Sequence, residues 1–324
     1  MGTISPNRGT TIDNLAARTG DFTAPFQEAE LTRPQLIELN YFSAPAPLHR
    51  YVTTLFHFRC DETAIRDMQP AAVGFLYFFL RGEGRMHFAS GTTDRSHPVS
   101  LMTPCAVAVP FEVDGPFHCV GAALLPRGWA AFTGMNASQH GNRLYDAGEW
   151  LGPEVVALGK RFRAAYAAGT MSPEAMCDEI AAFIAGRLRP INPRHDALMT
   201  LITDWLSSSL DPPLAELVAR SGYSERQLQR LVERYYGISP HHLLRKYRAL
   251  RVAALLQSPG TTDEQIAGLL NLFYDQSHLI REIRLFAGRT PARLGDSEQP
   301  ILDALLDIRN FRQITPGLAA LPED

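Results

Sequence analysis

The hydrophobic pattern changes period once along the chain. From Tyr51 to about Gly134 the apolar and aromatic residues come in short runs: "YVTTLFHFRC", "AVGFLYFFLRGEGRMHF", "AVAVPF" and "FHCVGAALL". Turn signals such as Gly82-Glu83-Gly84 and Asp114-Gly115-Pro116 separate them. Strands at this spacing predict a sandwich or small barrel. From about Pro153 the period becomes helical. "PEVVALGKRFRAAYAAG" and "SPEAMCDEIAAFIAGRLR" each open on a helix-start signal: Ser172 is a candidate N-cap, with Pro173 at the first helical position. "RPINPRHD" reads as a linker, and the remainder is helical almost to its end. Residues 1–35 are polar and turn-rich, which predicts a poorly ordered segment.

The fold class is therefore α+β. A β-rich domain is expected at 36–150, a helical segment and linker at 151–194, an all-α domain at 195–295 and a tail at 296–324. The helices between Pro153 and Arg189 carry Val155, Val156, Phe162, Ile180, Phe183, Ile184 and Leu188, more apolar surface than one small sheet needs. A homodimer formed through them is the expectation. The aromatic wealth of "VGFLYFFL" and "VAVPF" further predicts an apolar pocket that takes a small apolar or aromatic effector.

Composition narrows the function. The 324 residues are 45% apolar and 20% charged, as in a soluble globular protein long enough for two domains. No apolar run reaches the roughly 18 residues of a membrane span, and the N-terminus has no signal-peptide core. A cytoplasmic protein without membrane partners is expected. Cys60, Cys105, Cys119 and Cys177 form no C-x-x-C pair, so they read as buried free thiols. His57, His87, His97 and His118 fall on or near the strands without an H-x-H, so neither metal nor cofactor is expected. No G-x-S-x-G is present, and the chain does not read as an enzyme. A net charge of −3 does not advertise a nucleic-acid partner. By region it does: residues 205–294 hold twelve Arg and Lys against eight Asp and Glu, a balance of +4, leaving −7 for the rest.

That basic segment contains two similar units, "LVARSGYSERQLQRLVERYYGISP" (217–240) and "AGLLNLFYDQSHLIREIRLFAGRTP" (267–291). Each pairs a short apolar helix with a longer one whose early turns are polar, and each closes on Gly-x-Ser/Thr-Pro. Glycine tolerates the left-handed backbone that ends a helix, and Ser or Thr before Pro caps the next. Two helices across a tight turn make a helix-turn-helix, whose second helix shows its N-terminal residues to base edges in the DNA major groove. In the first unit those positions are Ser224, Arg226, Gln227, Gln229 and Arg230, with Leu228, Leu231 and Val232 turned to the core.

From about Trp205 to Leu294 the chain resembles the DNA-binding domain of the AraC/XylS family of transcription regulators. "YDQSHLIREI…GRTPARL", the double unit and its spacing carry the likeness. The resemblance implies two helix-turn-helix subdomains joined by a long helix from about Pro240 to Gln257. It implies DNA contacts from Arg226, Gln229 and Arg230 in the first unit, and from Gln276, Ser277, His278 and Arg281 in the second. The N-terminal part is compatible with that family's cupin-like barrel and dimerising helices. A sequence-specific regulator binding double-stranded DNA is the leading reading. A DNA-tethered enzyme of cupin type, or a regulator whose first domain only oligomerises, are the alternatives. His278 could instead be a packing residue. Arg245, Lys246, Arg248 and Arg251 on the joining helix read by default as a solvated face. One departure stands out: Leu272 occupies the turn position where the first unit has Gly222. That predicts a strained or reshaped second turn, and a larger role for Arg230 than for Arg281.

Overall fold

The computed structural model describes residues 37–257, 268–269, 272–291 and 294. The expected leading segment and tail lie outside the described residues. Eight antiparallel strands form one sheet: β1 (Ile37–Phe42), β2 (Val52–Cys60), β3 (Ala64–Gln69), β4 (Gly74–His87), β5 (Thr93–Arg95), β6 (Val99–Met102), β7 (Val109–Leu124) and β8 (Leu144–Asp146). Their order is β1-β2-β7-β4-β6-β8, with β3 added to β7 and β5 to β4. The long pair β4 and β7 is the spine. The β4–β7 register shifts twice between Phe79 and Glu83, where Gly82 has φ +79°. Extra residues in a ladder bend a strand. The bend is large, because Phe75 and Met86 of β4, roughly 36 Å apart in an extended chain, line one cavity.

Alternation along the strands gives the sheet two faces. Leu55, Leu76, Phe78, Val120 and Ala122 point outward, under a helical layer. Phe56, Phe58, Phe79 and Cys119 point inward. After α1 (Pro126–Thr133), α2 (Ala137–His140) and α3 (Ala147–Leu151), that layer is supplied mainly by α4 (Pro153–Ala168) and α5 (Pro173–Ala185). Ser172 caps α5 as the sequence indicates, accepting from the Ala175 N–H. Helix α1 interrupts what read as strand-like sequence up to Gly134. Pro126 begins it, and Gly134 at φ +72° ends it.

The same layer uses, within one chain, the apolar side chains from which a helix-mediated homodimer was expected. Val155, Phe162, Ile180 and Ile184 are buried against the protein's own sheet, and Val156, Phe183 and Leu188 pack beside them. The sheet is wider than the sequence suggested, because β1 and β8 lie outside the strand-like stretch. All four cysteines are free and buried.

The C-terminal part is helical: α6 (Pro193–Ser208), α7 (Leu214–Ser221), α8 (Glu225–Tyr236), α9 (Pro240–Gln257) and α10 (Gln276–Ala287). It docks on the β domain through polar as well as apolar contacts. Arg289 pairs with Asp67 of β3, both buried. The Ala71 N–H donates to the Phe286 carbonyl at 2.7 Å, and the Ala108 N–H to the Leu285 carbonyl at 2.9 Å. No helix among the described residues is long and apolar enough to cross a membrane.

Candidate nucleic-acid interface and the cavity behind it

In the first unit α7 ends at Gly222, whose φ of +66° makes the tight turn, and α8 follows. Ser224 caps α8. Its hydroxyl accepts from the Gln227 N–H, and the Gln227 amide oxygen accepts from the Ser224 N–H in return. These two exposed polar residues thus hold the helix start. Gln229 is half-buried and donates to Glu233 at 2.9 Å. Arg226 and Arg230, one turn apart, are exposed. Leu228, Leu231 and Val232 are buried, and Tyr235 and Tyr236 join the core.

In the second unit only Gly268 and Leu269 of the first helix are among the described residues. Asp275 caps α10 by accepting from the His278 N–H at 2.7 Å. Gln276, Ser277 and Arg281 are exposed. His278 is half-buried, its ring edge-on to Phe273 and its Nε2 3.3 Å from Glu282. Gly237 and Gly288, at φ +79° and +82°, close the two reading helices as their repeated sequence implied.

Leu272 occupies the turn before α10, its N–H on the Leu269 carbonyl, and packs against the C-terminal core. The side chain thus has a packing role of its own at the position where the first unit has Gly222. Leu272→Gly should lower stability by about 2 kcal/mol, from lost packing and added chain freedom. Urea unfolding of the variant would measure it.

Residues 217–296 match the family model of a helix-turn-helix domain. This segment is an AraC-type helix-turn-helix domain. Among solved structures, ToxT from Vibrio cholerae is similar at 9% identity and a TM-score of 0.43, over 82% of this chain and 98% of that one. ToxT from strain SCE256, bound to an unsaturated fatty acid, gives 10% and 0.41 over 84% and 96%. The AraC-like transcriptional activator CuxR gives 10% and 0.30 over 67% and 86%. Likeness at these scores is loose, and the assignment stands on the sequence match. No curated protein sequence matches the chain.

The joining helix of the AraC-type domain, α9, overturns the expectation of a solvated cationic face. Lys246, Arg248 and Arg251 are buried, and Arg245 is half-buried. Each cation finds acceptors from distant parts of the chain. Arg251 donates to the carbonyls of Leu206 and Ser209 at 2.8 and 3.0 Å, which the end of α6 leaves unpaired. Burial still pushes its pKa down to about 10. Arg245 and Arg248 converge on the two oxygens of Glu282 in α10, at 2.6 and 3.0 Å. Burial would raise the Glu282 pKa, but the two guanidiniums outweigh it and hold it below the ordinary carboxylate value. This cluster locks the second reading helix to α9.

Lys246 does something else. Its ammonium donates to the Ala72 and Cys105 carbonyls at the rim of the β domain, at 3.0 and 2.9 Å. Among the described residues no carboxylate pairs with it, and burial pushes its pKa down to about 8. With Tyr247 and Leu250 it lines the cavity inside the bent sheet, about 160 Å³ and otherwise walled mainly by apolar side chains such as Phe56, Phe75, Tyr77 and Phe111. The AraC-type domain therefore forms part of the wall of the β domain's cavity. Sequence reasoning found the pocket's aromatics but missed these three residues, since nothing in a helical heptad marks which domain it will cover. No group of three or more His, Cys, Asp or Glu suited to a metal occurs among the described residues.

Proposed function

We propose that the chain is a sequence-specific DNA-binding transcription regulator whose cavity takes a small effector. One observation carries the DNA reading: two glycine-closed helices, α8 and α10, present Arg226 and Arg230, and Gln276, Ser277 and Arg281, to solvent, while their apolar faces are buried. Ser224 and Gln227 act by shaping the start of α8, His278 by packing on Phe273 beside Glu282, and Gln229 by way of Glu233. The effector reading rests on the cavity. Its size matches the ~150 Å³ that admits a benzene-sized group, and Lys246 adds one ammonium at the DNA-binding-domain side. An ammonium has three donors, and two are bonded to carbonyls, so one remains for an acceptor in the cavity. The occupant suited to it has an apolar body and an anionic head. The helices at 153–185 support the β domain; self-association of the protein is a matter for sedimentation.

The test uses the full chain. Bound fragments selected from genomic DNA should converge on one site, with affinity falling steeply as salt rises. Octanoate should raise Tm more than octanol, and its advantage should shrink as pH rises through about 8, where Lys246 loses its charge. Failure to bind any DNA at low salt would sink the first half. Equal effects of the two probes at every pH would sink the anionic head.

A further inference from the structure

The described residues expose three large apolar side chains, and two belong to the second reading unit: Tyr274, 94% exposed, and Ile280, 36% exposed. Ile280 lies in the middle of the solvent face of α10. At about 100° per residue, Gln276, Ile280 and Arg284 form one row along the helix, and Ser277 and Arg281 form the row beside it. All four neighbours are polar and exposed, whereas Leu279, Glu282, Ile283 and Phe286 on the opposite side are buried. Elsewhere α10 keeps its apolar residues inside, and Ile280, a stiff branched hydrocarbon among hydrogen-bonding groups, joins no apolar cluster among the described residues.

We infer that Ile280 reads the C5 methyl group of a thymine in the major groove. Of the groups a base pair shows there, that methyl is the apolar one, and it alone gains from contact with a hydrocarbon side chain. Gln276 and Arg281 flank Ile280 with donors suited to purine edges. Across the two rows, Gln276, Ile280 and Arg281 thus offer a donor, a methyl contact and a second donor, and Ile280 makes one position of the site prefer thymine over cytosine. The inference rests on the proposed DNA reading, and it assigns a base preference to a residue that the polar pattern of the repeat passes over.

The experiment removes the methyl and nothing else. With a selected site in hand, each thymine is replaced in turn by deoxyuridine, and the full chain is titrated at fixed salt. At one position of the half-site under α10, the substitution should weaken the unaltered protein by about threefold to tenfold. Ile280→Ala should bind the thymine and deoxyuridine sites equally, and Ile280→Val should keep part of the difference. Circular dichroism checks that both variants are folded, as an exposed position allows. If no deoxyuridine site weakens binding, or Ile280→Ala keeps the full difference, Ile280 does not read a methyl. If Ile280→Ala binds every site like the unaltered protein yet fails to regulate transcription, the side chain serves a protein partner and the inference is wrong. Loss of all DNA binding by the unaltered protein would instead overturn the underlying reading.

Discussion

Glu282→Ala should destabilise the protein by about 3–5 kcal/mol, far more than an average substitution. The carboxylate is 1% exposed and receives Arg245 and Arg248 from α9. Deleting it leaves Arg248 buried, with only the more exposed Asp211 as carboxylate partner. An uncompensated buried cation is the expensive outcome; the ion pair itself contributes modestly. Glu282→Gln keeps the shape and one acceptor, so it should cost less, about 1.5–3 kcal/mol. The pH dependence separates the two effects. Because the folded-state pKa of Glu282 is depressed, its contribution is present above the ordinary carboxylate value and is lost as pH falls through the folded-state value. The Gln variant should therefore lose less stability on acidification than the unaltered protein. Urea unfolding between pH 3.5 and 7 would show it, and parallel curves for the two proteins would contradict it. Since Glu282 holds α10 to α9, the Ala variant should also bind DNA with both reading helices less firmly spaced.

The second large effect concerns the junction between domains. Arg289→Ala strands the Asp67 carboxyl, 1% exposed, with the Met68 N–H still donating to it, and should cost about 3–5 kcal/mol. Burial raises the Asp67 pKa even with Arg289 beside it. An acid whose folded-state pKa is raised binds more protons folded than unfolded, so its stability is greatest at low pH and falls as pH rises through the folded-state value. Removing Arg289 takes away the influence that opposed the rise. The variant should therefore be markedly more stable near pH 5 than near pH 8, the reverse of an ordinary salt-bridge deletion. Replacing Asp67 as well, with leucine, should recover most of the loss, because no charge is then left buried. Thermal unfolding of the two single variants and the double variant closes the cycle. Additive losses would mean the pair does not interact.

Much of this architecture was legible in the sequence, for reasons that differ by element. The two reading helices announce themselves because glycines at 237 and 288 and the caps at Ser224 and Asp275 act over a few residues, within reach of local pattern. The joining helix falls at Pro240–Gln257 for the same reason. The buried cations of α9 were not legible. Their partners are carbonyls of Leu206, Ser209, Ala72 and Cys105, and a carbonyl has no residue type to signal it. The apolar helices at 153–185 were read as an interface because the width of the sheet they cover was underestimated. Leu272 was judged by the glycine it replaces in the repeat, whereas its side chain packs against the C-terminal core, a tertiary contact that a repeat comparison does not contain.

The Asp67–Arg289 contact joins residues 222 apart in the chain. On a ribosome, the β domain emerges long before residues 285–289 are made, since synthesis proceeds at about 5–20 residues per second. During that interval the Asp67 carboxyl lacks Arg289, the Ala71 and Ala108 N–H groups lack the Phe286 and Leu285 carbonyls, and the Ala72 and Cys105 carbonyls lack the Lys246 ammonium. The cavity likewise lacks Lys246, Tyr247 and Leu250 in its wall. The nascent chain is thus an open vessel until residues 246–289 are made, and the mouth of the β domain is the place where a chaperone or an early-arriving ligand would meet it.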